Sequence, residues 1–288
     1  MGIRLLHLHL HGLFRSSELE LGRDADTGGQ TLYVLELARS LALRPEVDQV
    51  DVVTRLIHDR RVSVDYSRPE ESIAPGARIL RFPFGPKRYL RKELLWPHLE
   101  ELADQLVAHL SRPGQGVDWI HAHYADAGLV GALVSQRLGI PLVFTGHSLG
   151  REKQRRLLAG GLDRSQIEQT YAISRRIDAE ERALAQADLV ITSTSQEAEQ
   201  QYSRYGHFRP QQAEVVPPGV DSTRFHPHGT AQERSALQSL LQPFLRDPNR
   251  PPLLAISRAV RRKNIPALVE AFGQSPVLRQ RHNLVLVL

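Results

Sequence analysis

Short apolar runs alternate along this chain with longer amphipathic ones, and that alternation admits few folds. Strands separated by helices build a parallel sheet covered on both faces, so the fold class is α/β. Ile3 to Leu10, Gln49 to Thr54, Ala77 to Phe82, Pro141 to Thr145, Leu189 to Thr192 and Glu214 to Val216 read as strands, and a further strand starts at Trp119. Helical spacing marks Thr31 to Leu43, Pro97 to Leu110, Gly128 to Leu138, one long helix from Ser165 through Glu181, and Ser195 to Tyr205. Residues 58–75, polar and broken by prolines, suit a loop or an exposed hairpin. With 288 residues and 41% hydrophobic content, about two domains are expected. Pro217-Pro218-Gly219 supplies the boundary, giving 1–217 and 218–288. The second part holds a helix (Thr230 to Leu245), a strand (Leu253 to Ser257), a basic turn (Arg258 to Lys263), a helix (Pro266 to Gly273) and a last strand (Asn283 to Leu288). One βαβ unit buries too little apolar area to stand alone, so this part is expected to be an incomplete domain.

Ligands of open α/β sheets bind beyond the carboxyl ends of the strands, so site residues are expected in the segments just after them. After the first strand comes Asp24-Ala25-Asp26-Thr27-Gly28-Gly29-Gln30. Paired glycines let backbone N–H groups approach a ligand, and Thr27 or Asp26 is placed to cap the helix whose apolar face carries Leu32, Leu35, Leu37, Ala38, Leu41 and Ala42. No G-x-G-x-x-G opens that helix, so this is not a dinucleotide fingerprint. Two further strand ends deliver His121-Ala122-His123-Tyr124-Ala125-Asp126 and Gly146-His147-Ser148-Leu149-Gly150 with Lys153 close behind. His7, His9 and His11 alternate along the first strand, but a further ligand at fixed spacing is missing, so packed histidines rather than a metal site are expected. Four cations between Lys87 and Lys92 suit a solvated face, and of the adjacent Arg175 and Arg176 at most one easily faces a buried site.

Composition removes several classes. Cysteine is absent, which excludes disulfides, thiolate metal ligands and a cysteine nucleophile and agrees with a cytoplasmic setting. The first residues lack the pattern of a secretory signal, and no apolar run is long enough to cross a bilayer. A net charge of +5 suits an anionic ligand; the cations are scattered over turns with little aromatic interleaving, which argues against nucleic acid.

Taken together and in order, Asp26-Thr27-Gly28-Gly29-Gln30, His121 to Asp126, Thr145 to Gly150, Arg175-Arg176-Ile177, Val190 to Thr194, Pro217 to Asp221, Ser257-Arg258 and Lys263-Asn264 resemble the sucrose-phosphate synthases of plants and cyanobacteria, retaining glycosyltransferases of family 4 with the GT-B fold. That resemblance implies an amino-terminal Rossmann-like acceptor domain, the start of a Rossmann-like nucleotide-sugar domain, and transfer of glucose from UDP-glucose or a related donor to fructose 6-phosphate without a cofactor or metal. It implies that Gly28, Gly29 and Gln30 meet the sugar phosphate, that Lys92, Lys153 and Arg176 form its phosphate pocket, and that Tyr124 and Asp126 lie beside the acceptor. His147 would sit next to the transferred glucose, and Arg258 and Lys263 would hold the diphosphate. Two features depart from the family: its E-x7-E element would lie past Leu288, and Ala259-Val260-Arg261-Arg262 stands where acidic or polar residues are expected. On this reading the chain as it stands lacks what orients the donor and is expected not to turn over. A sucrose synthase-like enzyme using free fructose and a non-catalytic sugar-phosphate-binding protein are the alternatives.

Overall fold

The computed structural model describes residues 2–257 and 259–288, which form two compact units meeting in sequence at Pro218 and Gly219. In the first unit the elements are β1 (Ile3–Leu8), α1 (Gly29–Ala42), β2 (Val47–Arg55), β3 (Glu70–Ala74), β4 (Ala77–Phe82), α2 (Leu99–Leu110), β5 (Trp119–His123), α3 (Ala125–Leu138), β6 (Leu142–Thr145), α4 (Gly150–Ala159), α5 (Arg164–Tyr171), α6 (Ile173–Gln186), β7 (Leu189–Thr192), α7 (Ser195–Gln200) and β8 (Ala213–Val215). Their strands make one sheet in the order β3-β4-β2-β1-β5-β6-β7-β8. All pairings are parallel except that of β3 with β4, so 58–75 ends in an edge hairpin. Gly76 closes that hairpin at φ +77°, a conformation other residues adopt only with strain.

The chain leaves β1 toward β2 on one side and returns through β5 on the other, so a crevice opens between the carboxyl ends of β1 and β5. Central strands are buried on both faces. On one, Leu6, Leu8, Ile120 and Phe144 pack with Leu102 and Leu106 of α2 and Val130 and Val134 of α3. On the other, Val50, Val52 and Ile79 meet Val34, Leu35 and Ala38 of α1. Gly128 brings α3 against the sheet: a Cβ there would lie 2.7 Å from the Phe144 ring and 2.9 Å from Cβ of Ala183.

Three expectations are corrected. Neither Thr27 nor Asp26 caps α1; Gly28 is its N-cap without a side-chain bond, because Thr27 Oγ1 accepts instead from the Leu13 N–H. Leu32, assigned to the buried face of that helix, is exposed, while Thr31 and Val34 are buried. The single helix from Ser165 is two helices hinged at Ala172, whose φ of +45° ends α5 and starts α6. Alanine is the best helix former and gives no warning of such a break; the left-handed residue costs about 1–2 kcal/mol, offset where Ile173 and Arg176 turn inward and are buried.

The second unit contains α8 (Ala231–Leu241), β9 (Pro252–Ile256), α9 (Ile265–Gln274), α10 (Pro276–Arg281) and β10 (Asn283–Val287), with β9 and β10 paired in parallel. A capping box between Thr230 and Glu233 starts α8, and the helix gives way to a 3-10 turn at Gln242–Phe244, where Pro243 lacks an N–H. Leu254 and Ile256 of β9 are exposed.

Because Phe144 and Ala183 are themselves buried and cannot retreat, Gly128→Ala should destabilise the first unit by about 1–3 kcal/mol. Urea unfolding followed by the fluorescence of Trp96 and Trp119 would show it; an unchanged midpoint would mean that α3 has room to lift.

Candidate functional site

The loop after β1 is built by short polar ties. Asp24 Oδ1 accepts from the N–H groups of Asp26 (2.9 Å) and Thr27 (2.7 Å), an Asx turn that aims the chain into α1. Gly12, at φ +80°, lies so close that a Cβ would come within 2.7 Å of the Asp26 carbonyl oxygen. Gly29, by contrast, has open space where its Cβ would be, so the first turn of α1 is uncovered on that side. Gln30 turns inward: its amide nitrogen donates to the carbonyl of His123 (3.3 Å) and lies 3.0 Å from Nδ1 of His9.

Three cations predicted to act together are brought together. Lys92 pairs with Asp26 through its ammonium and its backbone N–H, and Glu93 lies 3.4 Å from Nζ; burial pulls its pKa down, and these carboxylates overcome that and hold it up. Arg176 is buried, donates to Glu180 (2.9 Å) and to the carbonyl and hydroxyl of Ser148, and stacks 4.5 Å from the Tyr124 ring. Lys153 rests 3.7 Å from the centre of the Tyr171 ring and has no carboxylate partner among the described residues. Burial, then the neighbouring charges of Arg176 and Lys92, bring its pKa down to about 8.

Tyr124 sits at the end of β5 with φ +82° and packs its ring edge-on against His11 at 4.7 Å. Asp126, fully buried, accepts from His11 Nδ1 at 2.8 Å and from the Ala127 N–H, so its carboxylate anchors the site from behind. His147, at φ +53°, is the third non-glycine residue held in the left-handed region around this crevice with Tyr124 and Ala172. Such strain persists only where surrounding contacts impose it, and it clusters at functional sites.

The histidines are the part that sequence reasoning undervalued. His7 Nδ1 lies 2.9 Å from His123 Nε2, and His123 Nδ1 lies 3.0 Å from His147 Nε2. His121 Nε2 bonds Thr145 Oγ1 at 2.8 Å. Nitrogens of His7, His121 and His123 fall within 4.8 Å of one another, so the partners missing near β1 in sequence come from β5. Parallel strand pairing does this, placing His7 opposite His121 in register, and only the strand order could have signalled it. Burial drives these rings neutral: His7 titrates near 4, His147 near 3, and His9, His121 and His123 well below the usual value. Glu180 was also missed; it takes the Gly150 N–H, Arg176 and the Tyr205 hydroxyl. Lys263 lies in the second unit, exposed at the end of a 3-10 turn, and Arg258 falls outside the described residues.

A Rossmann-like sheet whose β1–β5 crevice gathers glycine-rich backbone, cations and strained polar residues is the amino-terminal architecture of GT-B glycosyltransferases. The Glycosyl transferase 4-like domain family matches residues 28–219, and the chain belongs to that family. Among curated proteins, a probable sucrose-phosphate synthase 2 of Arabidopsis thaliana is 39% identical over 98% of this chain, and sucrose-phosphate synthase 1 of the same plant is 38% identical over 99%. The chain spans about a third of their length, 32% and 33%. In structure it is similar to sucrose-phosphate synthase from Thermosynechococcus elongatus, with TM-score 0.72 and 26% identity over 99% of this chain and 62% of that one. The catalytic domain of starch synthase IV from Arabidopsis thaliana, bound to ADP and acarbose, shares the fold at TM-score 0.61 and 16% identity over 100% of this chain and 68% of that one.

Neutral buried histidines carry a stability cost in acid. The unfolded chain protonates them near pH 6.5 while the folded one resists to about 4 or below for His7 and His147, so stability falls as pH drops below about 6.5. Each such ring contributes at most about 1.4 kcal/mol per pH unit. Urea midpoints should decline steadily from pH 7 to pH 5; a flat profile would show that these rings are charged or solvated in the fold.

Proposed function

We propose that this chain carries the acceptor half of a retaining glucosyltransferase that moves glucose from UDP-glucose, or another nucleotide-glucose, to fructose 6-phosphate and yields sucrose 6-phosphate. The observation that carries this reading is the meeting of Lys92, Lys153 and Arg176, remote in sequence, beside Tyr124. A phosphate dianion needs several convergent cations, and Lys153, without a carboxylate, is the one whose charge a phosphate would restore. Family membership and the sucrose-phosphate synthase relatives support the same choice of acceptor.

In this reading residues 1–217 hold the acceptor and 218–288 begin the nucleotide-sugar side, where Arg258 and Lys263 meet the diphosphate. Gly28, Gly29 and Gln30 face the phosphate sugar at the N-terminus of α1, where free N–H groups favour an anion. Tyr124, with Asp126 behind it, lies beside the acceptor, and His147 lies beside the transferred glucose. The acceptor hydroxyl attacks on the face from which the diphosphate leaves. The glycosidic bond to the diphosphate breaks, the new one to fructose forms, and the departing diphosphate takes the hydroxyl proton. Cations about the leaving group stabilise its growing charge, so catalysis is positioning and electrostatics rather than covalent chemistry. No helix among the described residues is long and apolar enough to cross a membrane. With no cysteine in the chain, we place the reaction in the cytoplasm.

Calorimetry should show fructose 6-phosphate binding more tightly than fructose. Each charge-assisted contact is worth about 1.5–3 kcal/mol, so Lys153→Met should weaken the phosphate sugar roughly tenfold or more. Lys87→Ala and Arg88→Ala, at exposed positions, should do little. Equal affinity for the two sugars would favour a free-fructose enzyme.

Affinity for fructose 6-phosphate should also fall as pH rises through about 8, where free Lys153 loses its proton, and binding just above that pH should take up a proton. Lys153→Arg should move this loss to higher pH. Calorimetry in buffers of different ionisation enthalpy measures the uptake; none at all would remove Lys153 from the phosphate site.

A further inference from the structure

Three imidazoles run in line from the sheet interior to the crevice. His7 and His123 face each other with nitrogens 2.9 Å apart, ring centres 5.3 Å apart and planes at 11°, so the rings meet edge to edge. His123 and His147 repeat the arrangement at 3.0 Å and 5.3 Å, with planes at 34°. Zinc bound by two imidazoles stands about 2.0–2.1 Å from each nitrogen, so between in-line nitrogens this close only a proton fits.

Each link needs one donor and one acceptor, and a neutral imidazole has one of each. The chain therefore has two states, with all protons on Nδ1 or all on Nε2. Its inner end decides between them, because His7 Nε2 is buried and has no hydrogen-bond partner among the described residues. Protons on Nε2 would leave an N–H orphaned there, whereas protons on Nδ1 leave only an unused acceptor, which proteins tolerate better. Protonation of the rings does not intervene, since burial keeps His7, His123 and His147 neutral near pH 7.

We propose that His7 and His123 are positioning residues that form a one-way imidazole chain and fix His147 as a hydrogen-bond donor, through Nδ1–H, toward the sugar of the bound substrate. The role at the sugar rests on the reading of His147 given above; the direction of the chain rests on the ring geometry, the partnerless buried His7 Nε2 and the neutrality that burial imposes. Among the described residues no protein group accepts from His147 Nδ1, and Tyr33 holds the ring from its edge at 5.1 Å. Turning His147 into an acceptor requires all three rings to change tautomer together, so the donor state is locked from a strand register two rings away.

Long-range proton–nitrogen NMR of the protein labelled with 15N-histidine, near pH 7.5, tests this without ligand. The expected spectrum shows Nδ1 protonated and Nε2 bare for His7, His123 and His147. A His147 ring protonated on Nε2, or on both nitrogens, would overturn the chain even if fructose 6-phosphate binds as proposed. In His7→Phe, which keeps the ring volume, His123 loses its donor and the His147 signals should shift toward a mixture of tautomers. Unchanged His147 signals in that variant would show that His7 has no hold on it. Should that variant fail to fold, the wild-type spectrum still decides the direction. Calorimetry with fructose 6-phosphate on the same samples reports separately whether the sugar reading stands.

Discussion

The buried pair of Arg176 and Glu180 holds the candidate site in shape. Glu180 accepts the Gly150 N–H at the start of α4 with both carboxylate oxygens and also takes the hydroxyl of Tyr205, while Arg176 donates to the carbonyl of Ser148 and covers Tyr124. One ion pair on α6 thus fixes the turn after β6, the entry to α4 and the aromatic wall after β5. Burying two charges costs several kcal/mol each in desolvation, so the pair is poor evidence of net stability. Its value is geometric, because removing either partner leaves an uncompensated buried charge, and the fold therefore tolerates one arrangement of these loops.

How far the sequence speaks depends on the range of the interaction. Local signals were legible: apolar runs gave the central strands, and Gly28-Gly29 gave the turn into α1. The left-handed Ala172 was not, because alanine seldom adopts that conformation and long-range contacts impose it; histidine visits it more often, but too rarely to mark His147 in advance. Parallel pairing sets His7 opposite His121, a relation fixed by strand order across a long crossover rather than by spacing. Motif resemblance named Lys92, Lys153 and Arg176, but it could not give their partners. Asp26 on Lys92 emerges only in three dimensions, whereas Glu180, four residues after Arg176 on one helix, was open to helical spacing and was overlooked.

Those partners change the electrostatic argument about the pocket. Three adjacent cations without counter-charges would repel one another strongly in a low dielectric, and a site so built would be unstable when empty. Here Lys92 and Arg176 each have a carboxylate in contact, so the empty site is close to balanced and only Lys153 is left without one. Burial first, and then the neighbouring charges of Arg176 and Lys92, lower its pKa. If a phosphate dianion enters such a site, as proposed above, it need not be held by the summed charge of three cations; the one that gains most from its arrival would hold it. On the function proposed above, selectivity for a phosphorylated sugar would reside chiefly in Lys153, with Lys92 and Arg176 giving direction to hydrogen bonds whose charge is already compensated. The paired cations keep the loops in place when the pocket is empty, and on the proposed function the unpaired one would make the affinity sensitive to what occupies it.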